Sequence, residues 1–215
     1  MANSSVFNGV FCLVATNCCA EQLRAYSALD NILVACIAIL RQLCSIRRSA
    51  PRSVLQSLVS SLVLQRLNPG NATLGGIPSH LTKRMQSVLN SAALLVFSAS
   101  RYDCITPLLT QLYWLKVPEC IKFKLAVLVY KCLHQTAPPY LAEELHQSSA
   151  DKARQRLRFA STSSLVVPRT RLSTISARAF PVAAARLWNT LPLNVTSASS
   201  ISVFRKHLKT ILLLL

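Results

Sequence analysis

From Arg41 onward, apolar residues recur every three or four positions in blocks separated by proline, glycine and serine, the pattern of amphipathic helices rather than strands. Leu55, Leu58, Val59, Leu62 and Val63 share one helical face after Pro51, which a first helical turn tolerates, and Ser49 is placed to cap it. Gly70 reads as a stop signal. Ser79 is placed to cap a second helix striped by Leu81, Met85, Val88, Leu89, Ala92 and Val96, with Lys83 and Arg84 on its other face. Thr106-Pro107 begins a short helical turn that runs through Leu112. Pro118 opens the most hydrophobic helix, Glu119 to His134. Its inward stripe is Ile121, Leu125, Leu128, Val129 and Cys132, with Lys122, Lys124 and Lys131 left for solvent or phosphate. Pro138-Pro139 ends this block. Val182 to Trp188 reads as a short helix of small residues opened by Pro181. Ser199 or Ser200 caps the last helix, where Phe204, Leu208, Ile211, Leu212 and Leu215 oppose Arg205, Lys206 and Lys209. Leu165-Val166-Val167 is the only good candidate for a short strand. The expected class is mainly α: a small helical bundle, then a basic helical tail with long loops and at most one short strand or hairpin.

Composition divides the chain further. Residues 1–39 form a lead-in of undefined structure: up to Ala38, Arg24 is offset by Glu21 and Asp30, and half of the cysteines lie there. A helical connector is expected over 40–146, a Ser- and Arg-rich linker over 147–164, and a basic tail over 165–215. The apolar run Val6 to Ala20 is broken by Asn8 and Asn17 and has no Lys or Arg before it, unlike a signal peptide. Ile32 to Leu40 is continuous but too short to span a bilayer. The expectation is a nuclear or cytoplasmic protein, not a secreted one, with no membrane contact. The eight cysteines include no Cys-x-x-Cys pair, and Cys132-Leu-His134 and Cys18-Cys19 lack the spacing of a structural zinc site. Buried free thiols are the expected state, and no metal or cofactor is implied.

Charge changes the picture most. Lys and Arg number 24 against 7 Asp and Glu, a net charge of +17, and 52% of the chain is apolar. The excess points to a polyanionic partner. It is concentrated: eleven Lys and Arg and no acid follow Asp151. Self-repulsion along such a run opposes compaction unless a polyanion relieves it. Candidate contacts are Arg154, Arg156, Arg158, Arg169, Arg171, Arg178, Arg205, Lys206 and Lys209, which would touch phosphates and position nucleic acid without reading its sequence. Trp188, Phe180 and Tyr140 are either base-stacking residues or core packing, and each lies within an apolar stretch.

The same composition excludes familiar enzyme classes. Three Asp, far apart in sequence, do not supply the converging carboxylates of two-metal phosphoryl transfer. Four Gly leave no phosphate cradle, and no Gly-x-Ser-x-Gly elbow occurs. His80, His134, His146 and His207 are scattered, and Glu143-Glu144 is an adjacent pair whose side chains diverge on a helix.

An ordered series of short segments carries a further signal. It begins with Leu40-Arg-Gln-Leu-Cys-Ser-Ile-Arg-Arg-Ser49, Arg66-Leu-Asn-Pro-Gly-Asn-Ala-Thr-Leu-Gly-Gly-Ile-Pro78 and Leu81-Thr-Lys-Arg-Met-Gln-Ser-Val-Leu-Asn-Ser-Ala-Ala93. It continues with Tyr102-Asp-Cys-Ile-Thr-Pro-Leu-Leu109, Leu112-Tyr-Trp-Leu-Lys-Val-Pro118, Phe123-Lys-Leu-Ala-Val-Leu-Val-Tyr-Lys-Cys-Leu-His134 and Ala137-Pro-Pro-Tyr-Leu141. Leu165-Val-Val-Pro-Arg-Thr-Arg171, Arg178-Ala-Phe180, Ala185-Arg-Leu-Trp-Asn-Thr-Leu-Pro192 and Phe204-Arg-Lys-His-Leu-Lys-Thr210 complete it. The series resembles the C-terminal thumb and post-polymerase tail of the reverse-transcriptase polyprotein of LINE-type, jockey-like non-LTR retrotransposons. It covers about Leu40 to Leu215, and the lead-in does not match. The family often has Tyr-Cys-Asn where this chain has Pro69-Gly70-Asn71, a pair of helix breakers.

The resemblance implies a helical, thumb-like module that helps hold template RNA and target DNA. It also implies a partner palm domain upstream, with a catalytic Asp-Asp pair that this chain lacks. On this reading the chain is no enzyme, takes no small-molecule substrate, and retains at most RNA or DNA backbone binding. The alternatives are a recruited protein-interaction module or a small basic membrane-associated protein.

Overall fold

The computed structural model describes residues 19–67, 78–146, 164–169 and 179–214, and these are mainly helical. The chain divides into two compact units, Met1–Cys120 and Ile121–Leu215. This division falls inside the expected connector 40–146, and one helix, α1 (Cys19–Ile46), runs straight through position 39/40.

In the first unit, α1 buries Leu29, Leu33, Cys36, Leu40 and Leu43 at alternating spacings of four and three, a single packed stripe. The run Ile32 to Leu40 is thus part of a much longer helix. Its segment Ser27–Ile46 is long and apolar enough to cross a membrane by length and composition, although 28% of it is buried. The next helix, α2 (Arg52–Val59), continues through a π-helical stretch (Ser60–Leu64) into a last α turn (Gln65–Leu67). Its buried residues Leu55, Val59, Val63 and Leu67 are each four apart. Four-residue spacing runs ahead of the α-helical turn by about 40° at each step, and the wider π turn takes up that drift. Of the expected stripe, Leu58 is half-buried and Leu62 exposed for the same reason.

The helix α3 (Ser79–Phe97) lies at the centre of this unit, contacted by α1, α2 and the short α4 (Ile105–Gln111). All six expected stripe residues, Leu81 to Val96, are buried, joined by Ala93 and Leu95. Two expected caps are different. Pro51 and Pro78 themselves occupy the cap positions, in extended backbone, and their carbonyls accept the first helical bonds. Ser79 is the first helical residue, and Ser49 closes the end of α1, its N–H donating to the Ile46 carbonyl. Gly70 lies outside the described residues.

The helix α5 (Val117–Leu133) begins in the first unit, where the Val117 N–H donates to Gln86 Oε1 at 2.8 Å. Three consecutive helices end alike. Ser98, Tyr113 and Gln135 adopt left-handed backbone (φ 52°, 53° and 54°) after α3, α4 and α5. In each case the next residue's N–H reaches back five positions, Ala99 to Leu94, Trp114 to Leu109 and Thr136 to Lys131. This is the Schellman arrangement, usually built on glycine; a side chain there costs about 1 kcal/mol. A chain with four glycines makes these stops without them.

The second unit is organised around Phe204, which is fully buried on α9 (Ile201–Leu213). Its ring stacks on Tyr130 of α5 at 4.5 Å between centroids, and Trp188 of α7 (Phe180–Thr190) stacks at 5.9 Å. The Tyr130 hydroxyl donates to the Ala198 carbonyl at 2.9 Å, so its polar end is satisfied. Short helices α6 (Pro139–Ala142) and α8 (Leu193–Thr196) each follow a proline at the cap. Pro139 therefore opens a new turn as well as ending the preceding block. The last helix begins as expected, with Ser200 Oγ accepting from the Val203 N–H. In place of a strand, Leu165 makes a single bridge, and no strand forms among the described residues. Its backbone is held by the Asn189 side-chain amide, which accepts from the Leu165 N–H and donates to its carbonyl, both at 2.9 Å.

Of the expected α5 stripe, Leu125, Val129 and Cys132 are buried and Ile121 and Leu128 half-buried, while Ala126, Val127 and Tyr130 are buried beside them. Lys122 is exposed, but Lys124 and Lys131 are half-buried. Cys132 is buried there, and burial pushes its thiol up to about 11 from the ordinary 9.0, against a smaller lowering by a backbone hydrogen bond. Between those values the unfolded chain releases the proton and the folded chain retains it, so stability falls as pH rises through that window. Burial likewise raises the Cys36 thiol, with Arg66 opposing. Cys44 and Cys104 are exposed. Near neutral pH, iodoacetamide is expected to label Cys44 and Cys104 in the folded protein, and Cys36 and Cys132 only after unfolding. Peptide mapping reads this directly, and Cys132 labelling as fast as Cys44 would contradict the packing around α5.

Candidate nucleic-acid interface

The helix α9 turns Phe204, Leu208 and Leu212 inward. At about 100° per residue, Lys206 then points directly outward and Arg205 and Lys209 form a ridge one turn apart on one flank. Arg205 and Lys206 are exposed and Lys209 is half-buried. No acid lies anywhere on this helix. Like charges four apart destabilise a helix by a few tenths of a kcal/mol. The helix dipole does not compensate, because no basic residue lies in the last turn. His207 is also exposed, on the opposite flank from the ridge.

The other candidates distribute unevenly. Arg169 is exposed in the non-helical stretch after Leu165. Arg154, Arg156, Arg158, Arg171 and Arg178 lie outside the described residues. Arg186 is exposed on α7, but two residues from Trp188 it faces away from the side that meets Phe204. The structure therefore brings together Arg205, Lys206 and Lys209 and gives no contact joining Arg169 to them. Of the possible stacking residues, Phe180 and Trp188 are 4% and 3% exposed and belong to the core, while Tyr140 is 48% exposed.

Further arginines stand at helix ends in the first unit, where composition marks only a general excess. Arg47 and Arg48 lie in the turn after α1, Arg52 opens α2, and Arg101 follows the left-handed stop of α3. The Arg52 guanidinium lies over the Phe97 ring at 3.8 Å, and Arg101 lies 5.1 Å from the Tyr102 centroid. Arg47-Arg48 and Arg101-Tyr102 are adjacent in sequence, but the Arg52–Phe97 contact depends on how α2 packs on α3.

One groove of about 630 Å³ opens beside α3, lined by Lys83, Gln86, Asn90, Lys116 and Glu119 among others. It contains no histidine or cysteine. Glu119 Oε2 is buried there without a hydrogen-bond partner. Among the described residues no group of three or more His, Cys, Asp or Glu is placed to hold a metal ion. The single ion pair among them, Arg84 with Asp30, is nearly half exposed and worth little.

The chain matches no family model, no curated protein and no solved structure.

Proposed function

We propose that this chain is a catalytically incomplete piece of a LINE-type non-LTR reverse transcriptase, its helical thumb and tail, whose remaining role is to hold RNA or DNA by the backbone. The observation that carries the binding role is the acid-free helix α9, on which Arg205, Lys206 and Lys209 repel one another with no carboxylate on the same helix and no ion pair to them among the described residues. A phosphate backbone supplies the counter-charge that this face lacks. The ordered motif series between Leu40 and Thr210 supports the origin, and the absence of an Asp-Asp pair supports a non-catalytic role.

Filter binding to RNA and to duplex DNA across a salt series tests the proposal. The full chain is expected to lose affinity steeply with salt. The triple variant Arg205→Gln, Lys206→Gln, Lys209→Gln is expected to flatten the log–log slope by about 2 to 3, near one unit per phosphate contact released. An unchanged slope would overturn the assignment of this face, and no salt-dependent binding by the parent chain would overturn the function itself.

A further inference from the structure

We infer that the Arg47–Arg48–Arg52–Arg101 end of the first unit is a binding surface for single-stranded nucleic acid, with Tyr102 as its stacking platform. The inference deepens the reading above but rests on residues outside the C-terminal tail. Three observations carry it. First, the four arginines have no carboxylate partner among the described residues; the ion pair found there is Arg84 with Asp30. The nearby acid Asp103 is already engaged, its Oδ2 accepting from the Ser100 N–H at 2.7 Å. Second, Arg52 and Arg101 lie against aromatic faces rather than acids. A guanidinium stacked on a ring keeps its hydrogen-bonding edge free, the geometry that grips phosphate oxygens. Third, Tyr102 is 84% exposed beside Arg101, so nearly all of an aromatic side chain is in water next to a cluster of positive charge. Arg101 lies over this ring but leaves most of it in water, so an unpaired base can stack on it.

These features select one partner over others of the same charge. In a duplex, base faces are already stacked on one another, so Tyr102 would find no surface except at an end. An acidic peptide would satisfy the arginines but make no use of the ring face. Single-stranded RNA or DNA uses both, phosphates on Arg47, Arg48, Arg52 and Arg101 and a base on Tyr102.

Fluorescence anisotropy of the full chain with labelled thymine and uracil homopolymers, and with a duplex of equal length, tests this. Tyr102→Ala is expected to weaken single-strand binding about tenfold while leaving duplex binding unchanged, and Tyr102→Phe to retain it. Arg48→Gln, Arg52→Gln, Arg101→Gln together are expected to flatten the single-strand salt slope by about 2. Circular dichroism of each variant checks that helix content is unchanged. If Tyr102→Ala binds single strands as the parent does, or weakens duplex binding equally, the surface is a general polyanion patch and the inference fails. A poly-glutamate competitor whose binding is abolished by the arginine variant, with homopolymer binding untouched, would instead identify an acidic protein as the partner. The two readings separate cleanly. Loss of binding only in the Arg205/Lys206/Lys209 variant overturns this surface and keeps the tail. Loss only in the Tyr102 and Arg48/Arg52/Arg101 variants does the reverse.

Discussion

Phe204→Ala is expected to destabilise the second unit by about 3–5 kcal/mol, enough to unfold most small domains. Phe204 is wholly buried between the rings of Tyr130 and Trp188, so truncation removes two stacked contacts and leaves a cavity. The neighbours have little freedom to collapse into it, because Tyr130 is tethered through its hydroxyl to Ala198 and also packs against His134 at 3.9 Å. Phe204→Leu keeps much of the volume but loses the stacking, and about 1–2 kcal/mol is expected. Urea titration followed by circular dichroism and Trp188 emission measures both. A midpoint for Phe204→Ala equal to the parent's would show that this ring cluster does not hold the unit together.

The second large effect is expected at Leu33. Leu33→Asp is expected to cost about 4 kcal/mol or more, whereas Val34→Asp, one residue along, is expected to stay within about 0.5 kcal/mol. Leu33 is fully buried on the stripe that α1 presents to the first unit; Val34 is 60% exposed. Burying a carboxyl group without a partner is penalised whether it ionises or not, while on the outer face it remains hydrated. The contrast also decides between two uses of α1. Its segment Ser27–Ile46 has the length and apolarity of a membrane span. In a bilayer both faces meet lipid, so both substitutions would be equally harmful. Equal effects in denaturation and in vesicle flotation would favour the membrane-associated alternative over the packed helix.

Much of the helical layout was legible because prolines mark where helices start. Pro51 stands at the start of an expected helix, whereas Pro138 and Pro192, which read as ends of the preceding blocks, also stand at the caps of two short helices that were not expected. The helix ends were harder to read, since Ser98, Tyr113 and Gln135 take the left-handed position that glycine normally announces. The caps assigned to Ser49 and Ser79 failed for a related reason. A proline in extended backbone already ends the preceding segment and offers its carbonyl, so the serine side chain is not needed. For the candidate site, Arg205, Lys206 and Lys209 could be placed on one side of α9 from spacing alone. The Arg52–Phe97 pair could not, because those residues meet only through the packing of two helices distant in sequence.

The sequence by itself determined that the chain is mainly helical, the apolar side of α3 and of the last helix, and that the tail carries cations without acids. Only the tertiary structure decided that Trp188 and Phe180 belong to the core, that Tyr102 stands in water, and that Arg52 stacks on Phe97. The physical reason is that periodicity records which face avoids water, but hydrophobic attraction is non-directional and does not name the partner. That choice is made by shape, when rings and helices close-pack and leave particular residues outside.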